Sequence, residues 1–226
     1  MELLLESFKN IFELNQSYLE IVVLSLYVSI FATLLSGILS IIIASYISTT
    51  NFIGKEIITI IINSLMSLPP VVVGLVLYII FSASGILGFM DILYSPAIMI
   101  LAQFIIVTPI IMSLLLKCFT DKYMYLSELL SSLNTTKYKT RNTIIYETRY
   151  DVLIAFITGL SRALSEVGAV IIVGGNIDNL TRVMTTSIVL ETSRGELSLA
   201  LSLGISLILI ALVMNILILI LKRKFL

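Results

Sequence analysis

Residues 21–44 read IVVLSLYVSIFATLLSGILSIIIA, an apolar run without a single charge. About 20 such residues in a helix cross the roughly 30 Å hydrocarbon layer of a bilayer. Working outward from this run, four more of the same kind follow at 57–81, 96–116, 152–173 and 197–221. In lipid every backbone polar group must be satisfied within the protein, so runs of this length are helices. The expected fold is an all-α membrane protein with five transmembrane helices. Composition agrees: 58% of the 226 residues are hydrophobic and only 12% are charged, too little charge to coat a soluble domain. Mean hydropathy is +1.11. Ahead of the first span, residues 1–20 form an N-terminal extracytoplasmic or interfacial segment. Its Leu3, Leu4, Leu5, Phe8, Ile11 and Phe12 alternate with polar residues, as in a helix lying along the membrane surface or a simple tail.

Composition also removes function classes. There is no His, and Cys118 is the one cysteine. No intrachain disulfide and no zinc site of Cys/His type can form, and no metal site is expected. Catalysis through a His base is excluded as well. The net charge of zero argues against a nucleic-acid partner.

Five spans place the termini on opposite sides, and the positive-inside rule chooses which. One set of connecting segments holds Lys55, Lys117, Lys122, Lys137, Lys139, Arg141, Arg149, Lys222, Arg223 and Lys224. The other holds only Lys9, Arg182 and Arg194. The expected orientation is N-terminus outside and C-terminus cytoplasmic, which puts the polar stretch 117–151 in the cytoplasm.

Polar residues inside the spans mark where helices meet each other or a solute. Ser25, Ser29, Thr33 and Gly37 recur every four residues, a small-residue stripe along which another helix can approach closely. Pro69 and Pro70 withdraw backbone donors in the second span and break or kink it. Gln103, in the third span, has a neighbouring helix or a solute as its candidate partners. Arg162 and Glu166 stand four apart in an otherwise apolar run. Charges at that depth face a bundle interior or an aqueous path, and the spacing allows an ion pair. Such a pair either fixes the orientation of the helix or belongs to the translocation path. Gly174, Gly175 and Asn176 end the span at the outer surface. Thr181 and Arg182, with Thr185 and Thr186, then group hydroxyls and a guanidinium that suit an oxyanion or an ordinary solvated loop.

In the cytoplasmic stretch, YLSELLSSLNTTKYKTRNTIIYE (125–147) carries Leu126, Leu129, Leu130 and Leu133 at helical intervals. Asn134 follows as a candidate C-cap, and Lys137, Lys139 and Arg141 come next. A short helix of this design docks onto a partner protein or the anionic leaflet of the membrane. Glu128, Leu129, Leu130, Leu133 and Asn134 resemble the coupling-loop motif of bacterial ABC importer permeases, in which a Glu-Ala-Ala triplet is followed by a glycine. Here leucines replace the alanines and Asn134 replaces the glycine. LPPVVVGLVLY (68–78), SPAIMILAQFIIVTPII (95–111), SRALSEVGAVIIVGGNI (161–177) and TRVMTTSIVLETSRGELSLALSLG (181–204) resemble the oxyanion permeases of the molybdate, sulfate and tungstate group, most of all the tungstate type.

The resemblance implies a type I ABC importer permease core over residues 21–226, translocating tungstate, with molybdate or sulfate as the alternative cargo. An ATP-independent secondary carrier is the rival, and carriers often show internal repeats, of which the sequence has none. The implied assembly is a homodimer with the pathway along its two-fold interface. Two ATPase subunits would grip the coupling residues, and an extracytoplasmic binding protein would deliver the anion. The chain itself would hold no cofactor: it lacks a P-loop pattern, so ATP and magnesium belong to the ATPase. Its location would be the plasma membrane of a bacterium or archaeon, with lipid around it. The pathway and gate candidates are Pro69, Pro70, Gln103, Gly174, Gly175, Asn176, Thr181 and Arg182.

Overall fold

A computed structural model describes residues 16–225, so the N-terminal segment expected at 1–20 lies largely outside the described residues. The elements are α1 (Gln16–Thr49), α2 (Lys55–Leu65), α3 (Pro70–Phe81), α4 (Pro96–Ser132), α5 (Lys137–Glu147), α6 (Arg149–Leu164), α7 (Gly168–Gly174), α8 (Met184–Arg194) and α9 (Leu197–Phe225). A single 3₁₀ turn, Gly88–Met90, lies between α3 and α4. α1, α4 and α9 are each long and apolar enough to cross a membrane, and the two bent pairs, α2/α3 and α6/α7, raise the number of spans to as many as five if each pair is counted as one. The result is a multi-pass helical membrane protein.

α1 packs along α4, and the small-residue stripe explains how. Ser25, Ser29, Thr33, Ser36 and Ser40 are all buried. Ser36 donates to the Phe104 carbonyl at 3.2 Å and Ser40 to the Thr108 carbonyl at 3.3 Å. Gly37 leaves the space that the Phe156 ring of α6 fills, since a Cβ there would collide with it. Close approach of backbones replaces the hydrophobic drive that lipid cannot supply.

Two expected spans are not continuous. The second is bent by 94° between α2 and α3, where the paired prolines stand. Pro70 takes the first helical position of α3, a site where a missing N–H costs nothing. The fourth span breaks too, by 59° between α6 and α7, with no proline to announce it. Pro109 of α4, by contrast, sits inside an unbroken helix.

The third span is longer than its apolar run. α4 continues from 117 to Ser132, so the leucines expected on a separate docking helix form its last turns. It ends as the sequence suggests. Asn134 adopts a left-handed φ of 49°, its N–H bonds to the Ser131 carbonyl at 3.0 Å, and the Thr135 N–H bonds to the Leu130 carbonyl at 3.2 Å. That pair of bonds is the Schellman arrangement, in which Asn stands in for glycine.

A second helix within the polar stretch, α5, follows at once. Thr136 caps it by accepting from the Lys139 N–H at 3.4 Å. Ile144 anchors it in the same apolar core as Phe119 and Leu130. Lys122 of α4 pairs with Glu147 at 3.2 Å, and Arg141 lies over the Tyr46 ring of α1. Stretch 117–151 is therefore largely helical.

Candidate functional site

Two helix breaks side by side form the most unusual region of the molecule. Gly74 of α3 approaches α7 so closely that a Cβ on it would lie 2.8 Å from Ala169 Cα. A Cβ on Gly168 would likewise lie 2.7 Å from Val71 Cγ2. The two half-helices that begin after the breaks are thus packed together, with Val73, Leu77, Val170 and Val173 filling the seam.

Backbone groups freed by the α6/α7 break must find partners, because nothing in lipid offers any. Each partner comes from a different element. Gln103 of α4 donates its Nε2 to the Ala163 carbonyl at 3.1 Å. Thr185, at the start of α8, donates to the Glu166 carbonyl at 2.7 Å. The Glu166 carboxylate folds back on its own chain and accepts from the Ala169 N–H at 3.2 Å. Its other oxygen accepts from Arg162 Nη1 at 2.8 Å. The ion pair expected from the i, i+4 spacing is present, although the helix is interrupted between its two members.

Gln103 therefore bonds a neighbouring helix, through its amide nitrogen. Its buried Oε1 has no hydrogen-bond partner.

After α7, Gly175 and Asn176 turn the chain with φ values of 69° and 51°. This is a tight cap, one that glycine and asparagine adopt at little cost. Thr181 donates to the Gly174 carbonyl and accepts from the Ile177 N–H at 2.9 Å. The sequence places 181–186 in a polar group open to an anion or to solvent; the structure buries Thr181, Thr185 and Thr186 and gives each hydroxyl a bond within the chain. The segment folds inward, so that α8 begins beside the α6/α7 break. Met184 N–H closes this arrangement by bonding Ser25 Oγ of α1 at 2.7 Å. Arg182 pairs with Asp178 at 2.9 Å, while its Nε is buried without a partner.

The docking leucines divide between two faces. Leu130 is buried in the core, whereas Leu129 and Leu133 are 57% and 64% exposed. Glu128 and Asn134 are exposed as well. Met124, Tyr125, Tyr138 and Tyr146, on α4 and α5, are exposed too. Sequence periodicity puts all four leucines on one face and misses α5, for which Thr136, a good N-cap residue, is the available signal.

Cys118 lies in the α4 extension beyond the apolar run. Burial first, then the nearby Asp151 carboxylate, pushes its thiol up to about 12.

Intact and broken helices stitched across the bundle, with an ion pair held within, make this a multi-pass helical membrane protein with polar groups inside its spans. Three comparisons specify it. The chain is 38% identical over 204 residues, 88% of its own length and 90% of the other's, to the tungstate uptake system permease protein TupB of Peptoclostridium acidaminophilum. It is 36% identical, over 82% of each chain, to a probable anion ABC transporter permease protein of Haloferax volcanii. It is also 36% identical to TupB of Campylobacter jejuni, over 64% of this chain and 60% of that one. No protein-family model matches the chain. It belongs to the ABC transporter permease family, as a transport subunit rather than an enzyme.

Proposed function

We propose that this permease imports tungstate, with molybdate and sulfate as the alternative cargoes of the same chemical group. What carries this reading is the 38% identity along nine-tenths of a tungstate uptake permease. The protein works with an ATPase that binds ATP and magnesium and with an extracytoplasmic binding protein that delivers the anion, and the chain holds no cofactor of its own. Two copies form the conducting unit within the lipid bilayer of the plasma membrane, each with its N-terminus outside and its C-terminus in the cytoplasm.

Coupling to the ATPase runs through the end of α4. Glu128, Leu129, Leu133 and Asn134 present the exposed side, while Leu130 anchors the helix to the core beneath. A push delivered at Leu133 travels along a rigid α4 to Gln103, which is bonded to the α6/α7 break. Pro69 and Pro70, with Gly174, Gly175 and Asn176 at the outer end, bracket the two half-helices that move when the pathway opens, and Thr181 and Arg182 brace that end.

The experiment is elemental analysis of tungstate, molybdate, sulfate and phosphate uptake in cells with the gene deleted and then restored. Loss confined to tungstate, or to tungstate and molybdate, supports the reading. Unchanged uptake of all four anions overturns it.

A further inference from the structure

We infer that the free edge of Arg162 is the intramembrane contact for the transported oxyanion, and that Glu166 is a positioning residue that holds the guanidinium in place. The inference rests on the importer reading above.

The pair is unequal. The Glu166 side chain is 4% exposed and Arg162 35%. Glu166 is locked from two sides, one oxygen on Arg162 and the other on the Ala169 N–H. Arg162 spends only Nη1 on the carboxylate, and a guanidinium has five N–H donors in a planar fork. Arg162 comes thirteen residues after Arg149, which opens α6, so it lies about 20 Å along the helix at 1.5 Å per residue. That is well inside a hydrocarbon layer of roughly 30 Å. A partly uncovered guanidinium at this depth cannot face lipid without heavy cost; it faces water or a bound solute.

The same face of α6 is polar. Thr158, Ser161, Arg162 and Ser165 follow one another at i, i+3, i+4 and i+7, which places them in one stripe. Each is at least partly exposed. On the neighbouring face Ala155, Gly159 and Ala163 are buried against the bundle. The three hydroxyls donate to carbonyls of their own turns and keep lone pairs on the same face as the guanidinium, a polar stripe suited to water or a solute.

An ion pair also suits passage better than a lone cation. A conducting site must bind well enough to admit the anion and weakly enough to release it. Glu166 cancels most of the local charge, while the outward N–H groups of Arg162 remain available to a tetrahedral oxyanion. Thr181 and Arg182 are less accessible: Thr181 is fully buried, and the Arg182 side chain is 15% exposed against 35% for Arg162.

The test uses the whole transporter, permease with ATPase and binding protein, reconstituted in proteoliposomes with tungstate. Arg162→Gln combined with Glu166→Gln removes both charges without leaving one unpaired. Uptake is expected to fall at least tenfold, with assembly and ATP hydrolysis retained. Arg162→Lys, which keeps the charge and loses the fork, is expected to raise the half-saturating tungstate concentration more than it lowers the maximal rate.

A second measurement keeps Arg162. Ser165→Cys with Cys118→Ser is treated with a charged, membrane-impermeant methanethiosulfonate. Labelling is expected, and saturating tungstate is expected to slow it. This assay decides the matter if the doubly substituted protein fails to assemble. Wild-type uptake by the double variant, or a thiol at 165 that is unreactive or unprotected, overturns the inference alone. Absence of ATP-dependent tungstate uptake in the unsubstituted transporter overturns the importer reading beneath it.

Discussion

Gly74→Ala tests the packing of the two half-helices directly. A Cβ at this position lies 2.8 Å from Ala169 Cα, 3.0 Å from the Ala169 carbonyl oxygen and 3.3 Å from Ile172 Cβ. The closest two atoms are backbone and cannot rotate away. Ordinary contact begins near 3.4 Å, so α3 and α7 must part by about 0.6 Å. Overpacking of this kind costs about 1–3 kcal/mol. Alanine returns about 0.5–1 kcal/mol through its better helix propensity, which leaves a net loss of up to roughly 2.5 kcal/mol. At about 2–4 °C per kcal/mol for a chain of this size, the midpoint should fall by several degrees. The assay is thermal unfolding of the purified permease in detergent. Gly204→Ala, in α9 with nothing within 4 Å of its Cβ, serves as the control and should be neutral or stabilised by up to about 1 kcal/mol. A Gly74→Ala midpoint at or above that of Gly204→Ala would refute the close packing of the two half-helices.

Three more outcomes follow from the same structure. Arg162→Ala strands a buried carboxylate and should cost about 3–5 kcal/mol; Glu166→Ala leaves a partly exposed guanidinium and should cost less. In a double-mutant cycle the combined loss should be smaller than the two single losses together, and simple additivity would show the pair to be uncoupled. Glu128→Arg and Leu133→Asp, both on the exposed side of the α4 end, should abolish uptake while membrane insertion, followed by fractionation, stays normal; normal uptake in both removes the coupling assignment. Cys118, with its thiol pushed up to about 12, should be ionised in roughly one molecule in ten thousand at pH 8 and should react with maleimide far more slowly than an exposed thiol. Rapid labelling of the folded protein at that pH would contradict its burial beside Asp151.

Much of the architecture was legible in the sequence because it depends on local quantities. Length and apolarity are enough to identify a membrane span, so the five runs were found by inspection. Pro69-Pro70 announced the first break through missing donors and a ring clash. Asn134 announced the end of α4, since few residues tolerate a left-handed φ. The Arg162/Glu166 pair could be read from spacing alone.

Other features were decided by tertiary structure. Nothing in SRALSEVG marks a break at 165–167. That break exists because Gln103 and Thr185, from elsewhere in the chain, supply hydrogen bonds that the helix would otherwise make for itself. α4 runs on to Ser132 although its apolar run stops near 116, because Phe119 and Leu130 share a core with Ile144 of α5. Thr181, Thr185 and Thr186 suited either an oxyanion or a solvated loop by sequence, and became internal bracing once the chain folded inward. Sequence alone determined where this chain meets the bilayer, because transfer from water to lipid is summed residue by residue. Only the tertiary structure decided where its helices are interrupted and which polar groups stay free, because a hydrogen-bond partner sixty residues away has no local signature.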